Sequence, residues 1–482
     1  MKLIHKISKI GPLATFVGLL MLVACKDDLP KPLDTSSNVT VLNNIKIVNA
    51  GANGNIVLQG VVDEDAKTVW FPRIDTLTDF SKLKFEAEVS GGAKLDKEVY
   101  PVTFEAGQSE QVIVVKVMSS PRFREYLVRL RLQVPVYGAD FEKGTTYDFS
   151  NNPLGQSSYD AFNGQATRGS GFDGEKVLVV RREAPHVLNV SDLKAGTINK
   201  IPLNITGVVG GTFITNMGAQ VNGHTYVANL SGGQTSPLKV YHWTDPSAAP
   251  QIIANLNVAT IAGAGVRHGD NFSAALDDQG NGFLFFGDNA ATKVLRLSVA
   301  NYTTVSNPTV FAMPLTGAGA WTTYNRIGNT SEYLFTGHGA QLALVNDGGT
   351  STFTTTKMTT LANGTSFPIT SSDARIVYFN GERYLIVVTA PIGANAFSNL
   401  RVYDITKGSN VRDALTNLNN LPTITPIFDY SLMGPIVNGS PAVQSGFHVK
   451  KDGQGKDEKL MLYAATVDGG FVFFEFPVKT SD

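Results

Sequence analysis

Residues 222–228 read Asn-Gly-His-Thr-Tyr-Val-Ala, and residues 238–241 read Leu-Lys-Val-Tyr. An Asn-Gly pair supplies the positive backbone angles of a tight hairpin turn. The apolar run after it has the β-branched and aromatic content of a strand buried on both faces. The same arrangement occurs six times. Its turns are Asp173-Gly174, Asn222-Gly223, residues 277–282, residues 328–330, Asn380-Gly381 and Asp452-Gly453. Each turn leads into an apolar strand, at residues 176–180, 225–228, 283–286, 333–336, 384–388 and 460–464. A second strand follows closely at 186–190, 238–241, 293–297, 341–345, 400–403 and 471–474.

The starts of the first set lie 49, 58, 50, 51 and 76 residues apart. A period near 50 with four strands per unit is the pattern of a β-propeller, whose blades bury their faces only against their neighbours. Six blades are expected, with seven as the alternative. The long interval holds residues 407–421, rich in Asn and Leu, which read as an insertion after the fifth blade's third strand. The last unit has room for only three strands. An open edge is what closed β-folds avoid, so residues 145–149 are expected to return as the outer strand of the last blade.

The 482-residue chain has 40 Lys+Arg against 41 Asp+Glu, 17% charged residues, 47 glycines and one cysteine. The length suggests two or three domains. Low charge with abundant Gly fits an all-β chain of short strands. A net charge of -1 argues against a nucleic-acid partner, which calls for a basic face. One cysteine leaves no internal disulfide and no thiolate metal cluster. Residues 39–136 carry alternating strands, at 44–48, 68–72, 83–89, 112–117 and 126–132, as in a small antiparallel sandwich. Residues 144–482 are then the propeller.

Residues 1–24 combine Lys2, Lys6 and Lys9 with an uncharged run over 10–24, the layout of a secretory signal. That run is short for a bilayer-spanning helix, which needs about 20 residues. Residues 25–38 are rich in Pro, Asp, Ser and Thr, as in a flexible tether. Leu22-Val23-Ala24-Cys25 resembles a bacterial lipobox, and Lys26-Asp27-Asp28 resembles the surface-export signal of Bacteroidota lipoproteins. The whole arrangement is similar to Bacteroidota surface lipoproteins of unknown function that carry an immunoglobulin-like module followed by a propeller. The resemblance implies lipidation at Cys25, an outer-membrane location exposed at the cell surface, a spacer role for the module, and a glycan-uptake or adhesion setting. The partners expected are a glycan or a surface protein, with membrane attachment only through the lipid and a monomeric chain. Removal of the signal takes three lysines with it, so the net charge becomes about -4.

Standard catalytic signatures are absent: there is no Gly-x-Ser-x-Gly, His-Glu-x-x-His or phosphate-loop motif. Residues 277–282 lack the closing Glu of a calcium loop. No cofactor or metal is expected. In a propeller, the loops joining one blade to the next share a face with the loops between second and third strands. The first set is Gly-rich, at residues 207–211, 263–269, 317–320, 364–367 and 434–439. Together the two sets collect Arg181, Arg182, Arg267, His268, Asp270, Asp288, Asn289, Trp321, Tyr324 and His338 on one face. Gly-rich loops let backbone approach a ligand, and Trp or Tyr offers a flat apolar platform. That mixture suits a sugar, and the arginines favour acidic groups on it. The alternatives are tight crossings with Trp321 packed between blades, a lyase site built from Arg267, His268 and Tyr324 or a glycoside hydrolase, and a scaffold or adhesin that binds protein through its rim. Trp70 and Trp243 read as structural.

Overall fold

The computed structural model describes residues 40–105, 108–133, 136–150, 159, 162, 167–359, 367–368, 371–389, 398–432, 442–467 and 469–480. Cys25, the lipobox, the tether, and residues 364–366 and 434–439 of the Gly-rich loops lie outside them. Nearly all of its regular secondary structure is strand, and the chain divides into two units at Pro135/Val136.

The first unit has two sheets facing a common core. One contains Leu42–Ala50 and Leu83–Val89, and the other contains Thr68–Trp70, Glu110–Ser119 and Arg122–Gln133. The expected alternation puts Ile45, Ile47, Phe85, Val115, Val117, Tyr126, Val128 and Leu130 inside. Their partners in sequence face outward, so this unit keeps one wet face on each sheet.

The second unit contains, among the described residues, six four-stranded antiparallel sheets and one short two-stranded parallel pair. The recurrent turn and its apolar strand form the first hairpin of each sheet. In the second sheet Phe213–Val221 pairs with His224–Leu230 through Asn222 and Gly223, at φ 48° and 80°. In the sixth, the left-handed residue of the turn is Gly455 and not Gly453. Asp452 Oδ1 accepts the Gln454 and Lys456 amides at 2.8 and 2.9 Å, so its carboxylate shapes a longer turn.

The first strands touch in cyclic order, and the sixth returns to the first, which closes a propeller-like ring. Thr167–Phe172 and Phe213–Val221 approach most closely. A Cβ on Gly169 would sit within 2.8 Å of the Met217 and Gly218 backbone, and one on Gly218 within 2.8 Å of the Val180 and Leu178 side chains of the first sheet. Six apolar clusters fill the spaces between adjacent sheets. Thr145–Asp148 pairs antiparallel with Gly470–Pro477 and becomes the outer strand of the sixth sheet, so the edge expected to need a donor has one. Tyr147 stacks on Phe473 at 4.6 Å across this closure. The insertion holds the helix Val411–Asn420, capped by Asn410 Oδ1 on the Asp413 amide at 2.8 Å. Its Val411, Ala414, Leu415 and Leu418 face the core between the fourth and fifth sheets.

A candidate binding face and a polar channel

Each first strand runs from a loop end to a hairpin end, and alternate side chains point to the channel or into the adjacent core. On Thr322–Arg326, Thr323 and Asn325 line the channel, whereas Tyr324 turns toward the third sheet. Tyr324 is 2% exposed, stacks on Phe285 at 4.5 Å, and its hydroxyl has no hydrogen-bond partner. Burial pushes that phenol well above its ordinary value. Tyr324 is therefore a core residue and not a platform, a consequence of the two-residue period of the strand.

The loop end gathers most of the other candidates into two groups. In the first, Arg267 Nη2 pairs with Asp270 Oδ1 at 2.8 Å. Burial lowers the guanidinium of Arg182, with Asp270 close enough to pull it back. Arg182 lies 3.6 Å above the Phe213 ring, and its Nε has no partner. His268 is fully buried with both ring nitrogens unpartnered. Burial drives it down to about 4, outweighing the nearby carboxylates of Asp288 and Asp270. Asp288 caps its own turn, accepting the Thr292 and Lys293 amides at 2.7 and 2.9 Å. Asn289 is exposed, and its amide donates to the Arg267 carbonyl at 3.2 Å.

In the second group, the rings of Trp321 and His338 meet edge to face at 4.8 Å, both half-buried. Neither Trp321 Nε1 nor His338 Nδ1 has a partner. Burial lowers the His338 imidazole. Arg181 is exposed and is coupled electrostatically to His186 rather than to either group. The lyase alternative loses two of its three members as accessible groups, since His268 and Tyr324 are both inside. Trp243 is buried, with Nε1 donating to the Asn204 carbonyl at 3.0 Å. Trp70 differs from Trp243 in its exposure. It is 40% exposed on the outer face of its sheet, with Arg129 and Arg131 at 4.8 and 5.7 Å from its ring.

The sequence reading overlooked the channel. All six first strands line it, with Asn325, Asp373, Arg375, Gln444, Ser445 and Gln220 among its polar groups. Its volume is about 50 Å³, room for a few waters and too little for a sugar ring. At the hairpin end it widens into a funnel of about 420 Å³. The signal was present as polar residues at alternate positions of strands otherwise apolar, such as Asp373 and Arg375. A turn followed by an apolar strand marks the blades and carries no trace of this alternation. Among the described residues no group of three metal-ligating side chains occurs.

Residues 27–479 match a family described as a domain of unknown function, DUF4623. The crystal structure of a DUF4623 family protein from Bacteroides eggerthii is 43% identical, with a TM-score of 0.74, and the match covers 92% of this chain and 99% of that one. A subtype N10 neuraminidase-like protein of A/little yellow-shouldered bat/Guatemala is 11% identical with a TM-score of 0.36, covering 70% of this chain and 98% of that one. BamB from Moraxella catarrhalis is 10% identical with a TM-score of 0.30, covering 66% of this chain and 84% of that one. No curated protein matches the chain. With nearly its whole length matched by the family and a 43% identical relative solved within it, this chain belongs to the DUF4623 family.

Proposed function

We propose that the chain is a lipid-anchored surface protein of the Bacteroidota type, in which Cys25 carries the anchor and an immunoglobulin-like module spaces a six-bladed propeller from the membrane. The propeller binds a glycan, without catalysis, on its loop end. The lipobox-like Leu22 to Cys25 and the acidic residues after it support the anchor, and the family match begins at residue 27, directly beyond. The closed cycle of six first strands supports the blade count.

The observation that carries the binding reading is the Trp321–His338 pair. A half-buried indole leaves part of its ring exposed as an apolar face for a sugar, and its N–H, buried at the contact with His338, has no partner within the fold. Arg182, Arg267 and Asp270 supply charge on the same end of the ring and favour an acidic sugar. Trp321→Ala is expected to weaken binding to the recognised member of a purified glycan panel by roughly tenfold or more. Unchanged affinity would overturn the reading, and release of reducing ends or unsaturated sugars by the intact protein would favour an enzyme instead.

A protein-binding scaffold is the second reading. It draws support from the outer sheet face of the first unit, where Val61, Trp70, Val112, Val114 and Leu127 are each at least 40% exposed. Binding to no glycan, with a partner protein held through that sheet, is the outcome that would favour it.

A further inference from the structure

The channel contains a cation that the fold fixes and leaves unpaired. Asp373 is buried within the channel wall and satisfied: Oδ1 accepts from Asn325 Nδ2, and Oδ2 accepts from the Ser445 amide at 2.5 Å and its hydroxyl at 2.9 Å. Asn325 Nδ2 also donates to the Ala374 carbonyl at 2.9 Å, so one polar layer ties the fourth, fifth and sixth sheets together. Two residues along the same strand, Arg375 Nε donates to the carbonyl and the hydroxyl of Ser445, each at 3.0 Å. Ser445 thus holds both side chains by three of its atoms. Arg375 forms no ion pair, and its two terminal amino groups make no hydrogen bond among the described residues.

Arg375 stands where the narrow channel opens into the funnel and lines both. Most of the carboxylates around that funnel are already engaged. Asp173 accepts the Glu175 and Lys176 amides of its own turn at 3.1 and 2.9 Å, then Gln220 Nε2 and the Gly223 amide at 3.0 Å each. Asp277 accepts the Gln279 and Asn281 amides at 3.0 and 2.8 Å and faces Arg326 at 3.8 Å. Asp278 is exposed on the hairpin. A guanidinium held by its Nε edge, with both terminal amino groups left without a partner at the mouth of an open funnel, matches the two oxygens of a carboxylate. The funnel falls in the range of small-ligand pockets, about 300–1,000 Å³. Beyond Arg375 the channel is too narrow for more than water, so a ligand entering from the hairpin end stops at the guanidinium.

We propose that the hairpin end of the ring is a second binding site, which takes a small carboxylate-bearing ligand with its carboxylate on Arg375. The site lies at the opposite end of the channel from Trp321, and its residues are not shared with the loop end. The test is calorimetric titration of the chain lacking residues 1–24 with D-glucuronate, succinate and, as neutral control, D-glucose. Binding of either acid without binding of glucose is expected. Arg375→Gln should weaken it about tenfold or more, whereas Trp321→Ala should leave it unchanged. Arg375→Lys keeps the charge without the fork and should fall between them. If Arg375→Gln fails to fold, hydrogen exchange of the unsubstituted chain carries the test: the acid should protect the turns at 173–176, 277–282 and 326–330. Binding of neither acid, equal binding of glucose, undiminished affinity in Arg375→Gln, or protection only of residues 265–270 and 317–321 would each overturn the proposal.

Discussion

The two ends of the ring treat their polar groups in opposite ways. At the hairpin end, Asp173, Asp277 and Asp452 each bind the amides of their own turn, two to four residues along. At the loop end, Arg182 Nε, both nitrogens of His268, Trp321 Nε1 and His338 Nδ1 are buried without partners. Turn residues satisfy themselves locally, so their positions reflect folding. Groups left unsatisfied after folding cost free energy, and their concentration at one end is what distinguishes a candidate binding face from a scaffold edge. Arg375 is the exception at the hairpin end, and it belongs to a strand rather than a turn.

That contrast can be broken by removing groups with and without partners. The largest effect is expected for Asp373→Ala, which leaves the Ser445 amide and hydroxyl buried without their acceptor and should cost about 3 kcal/mol in denaturant unfolding. A loss below about 1 kcal/mol would mean that water already shares those bonds.

Acid should have an effect of comparable size at the loop end. Burial holds His268 down to about 4 against an ordinary value of 6.5. Below about 6.5 the unfolded chain takes up a proton that the folded chain refuses. Stability is therefore fully present above that value and falls as pH drops toward 4, by up to roughly 3 kcal/mol from this residue. His242, buried against His224, is also lowered to about 4 and adds to the slope. Thermal melts across this window should flatten in His268→Leu, and an unchanged slope would place the acid sensitivity elsewhere.

A smaller and sharper comparison uses two buried tyrosines. The Tyr463 hydroxyl bonds Ser170 Oγ across the first and sixth sheets. Tyr463→Phe should cost about 1 kcal/mol. Tyr324 has no such partner, so Tyr324→Phe should be neutral or slightly stabilising, within about 0.5 kcal/mol. Equal losses in the two variants would show that the Tyr324 hydroxyl is satisfied by water.

Much of the ring was legible because its signals are local. Asn222-Gly223 and Asn380-Gly381 adopt the left-handed angles that their residue types favour, and the apolar strands after them are buried throughout. The helix Val411–Asn420 was legible in principle from the Asn410 cap and the spacing of Val411, Ala414, Leu415 and Leu418, although its residues read only as an insertion. The candidate face was legible in part. Arg182, Arg267, His268 and Asp270 do come together, because they flank the ends of strands that the repeat located. Tyr324 was misplaced because proximity to a loop was weighed above the alternation of its strand. Trp70 reads as structural from its place in the first unit, and with its paired neighbours, Val61 and Arg129, it lies on the outer face of that sheet.

The turns, the period and the buried strands are written in the chain, since each depends on bonds within a few residues or on an apolar pattern along one strand, and the closing strand at Thr145–Asp148 follows from the period, which leaves the last unit one strand short. Closure of the ring sets which side chains face the channel, brings Ser445 from another sheet to hold Asp373 and Arg375 together, and leaves the Arg375 fork open. Those outcomes depend on residues 70 or more positions apart meeting as the ring closes, and the partners of a buried charge are set by that closure rather than by its neighbours in the chain.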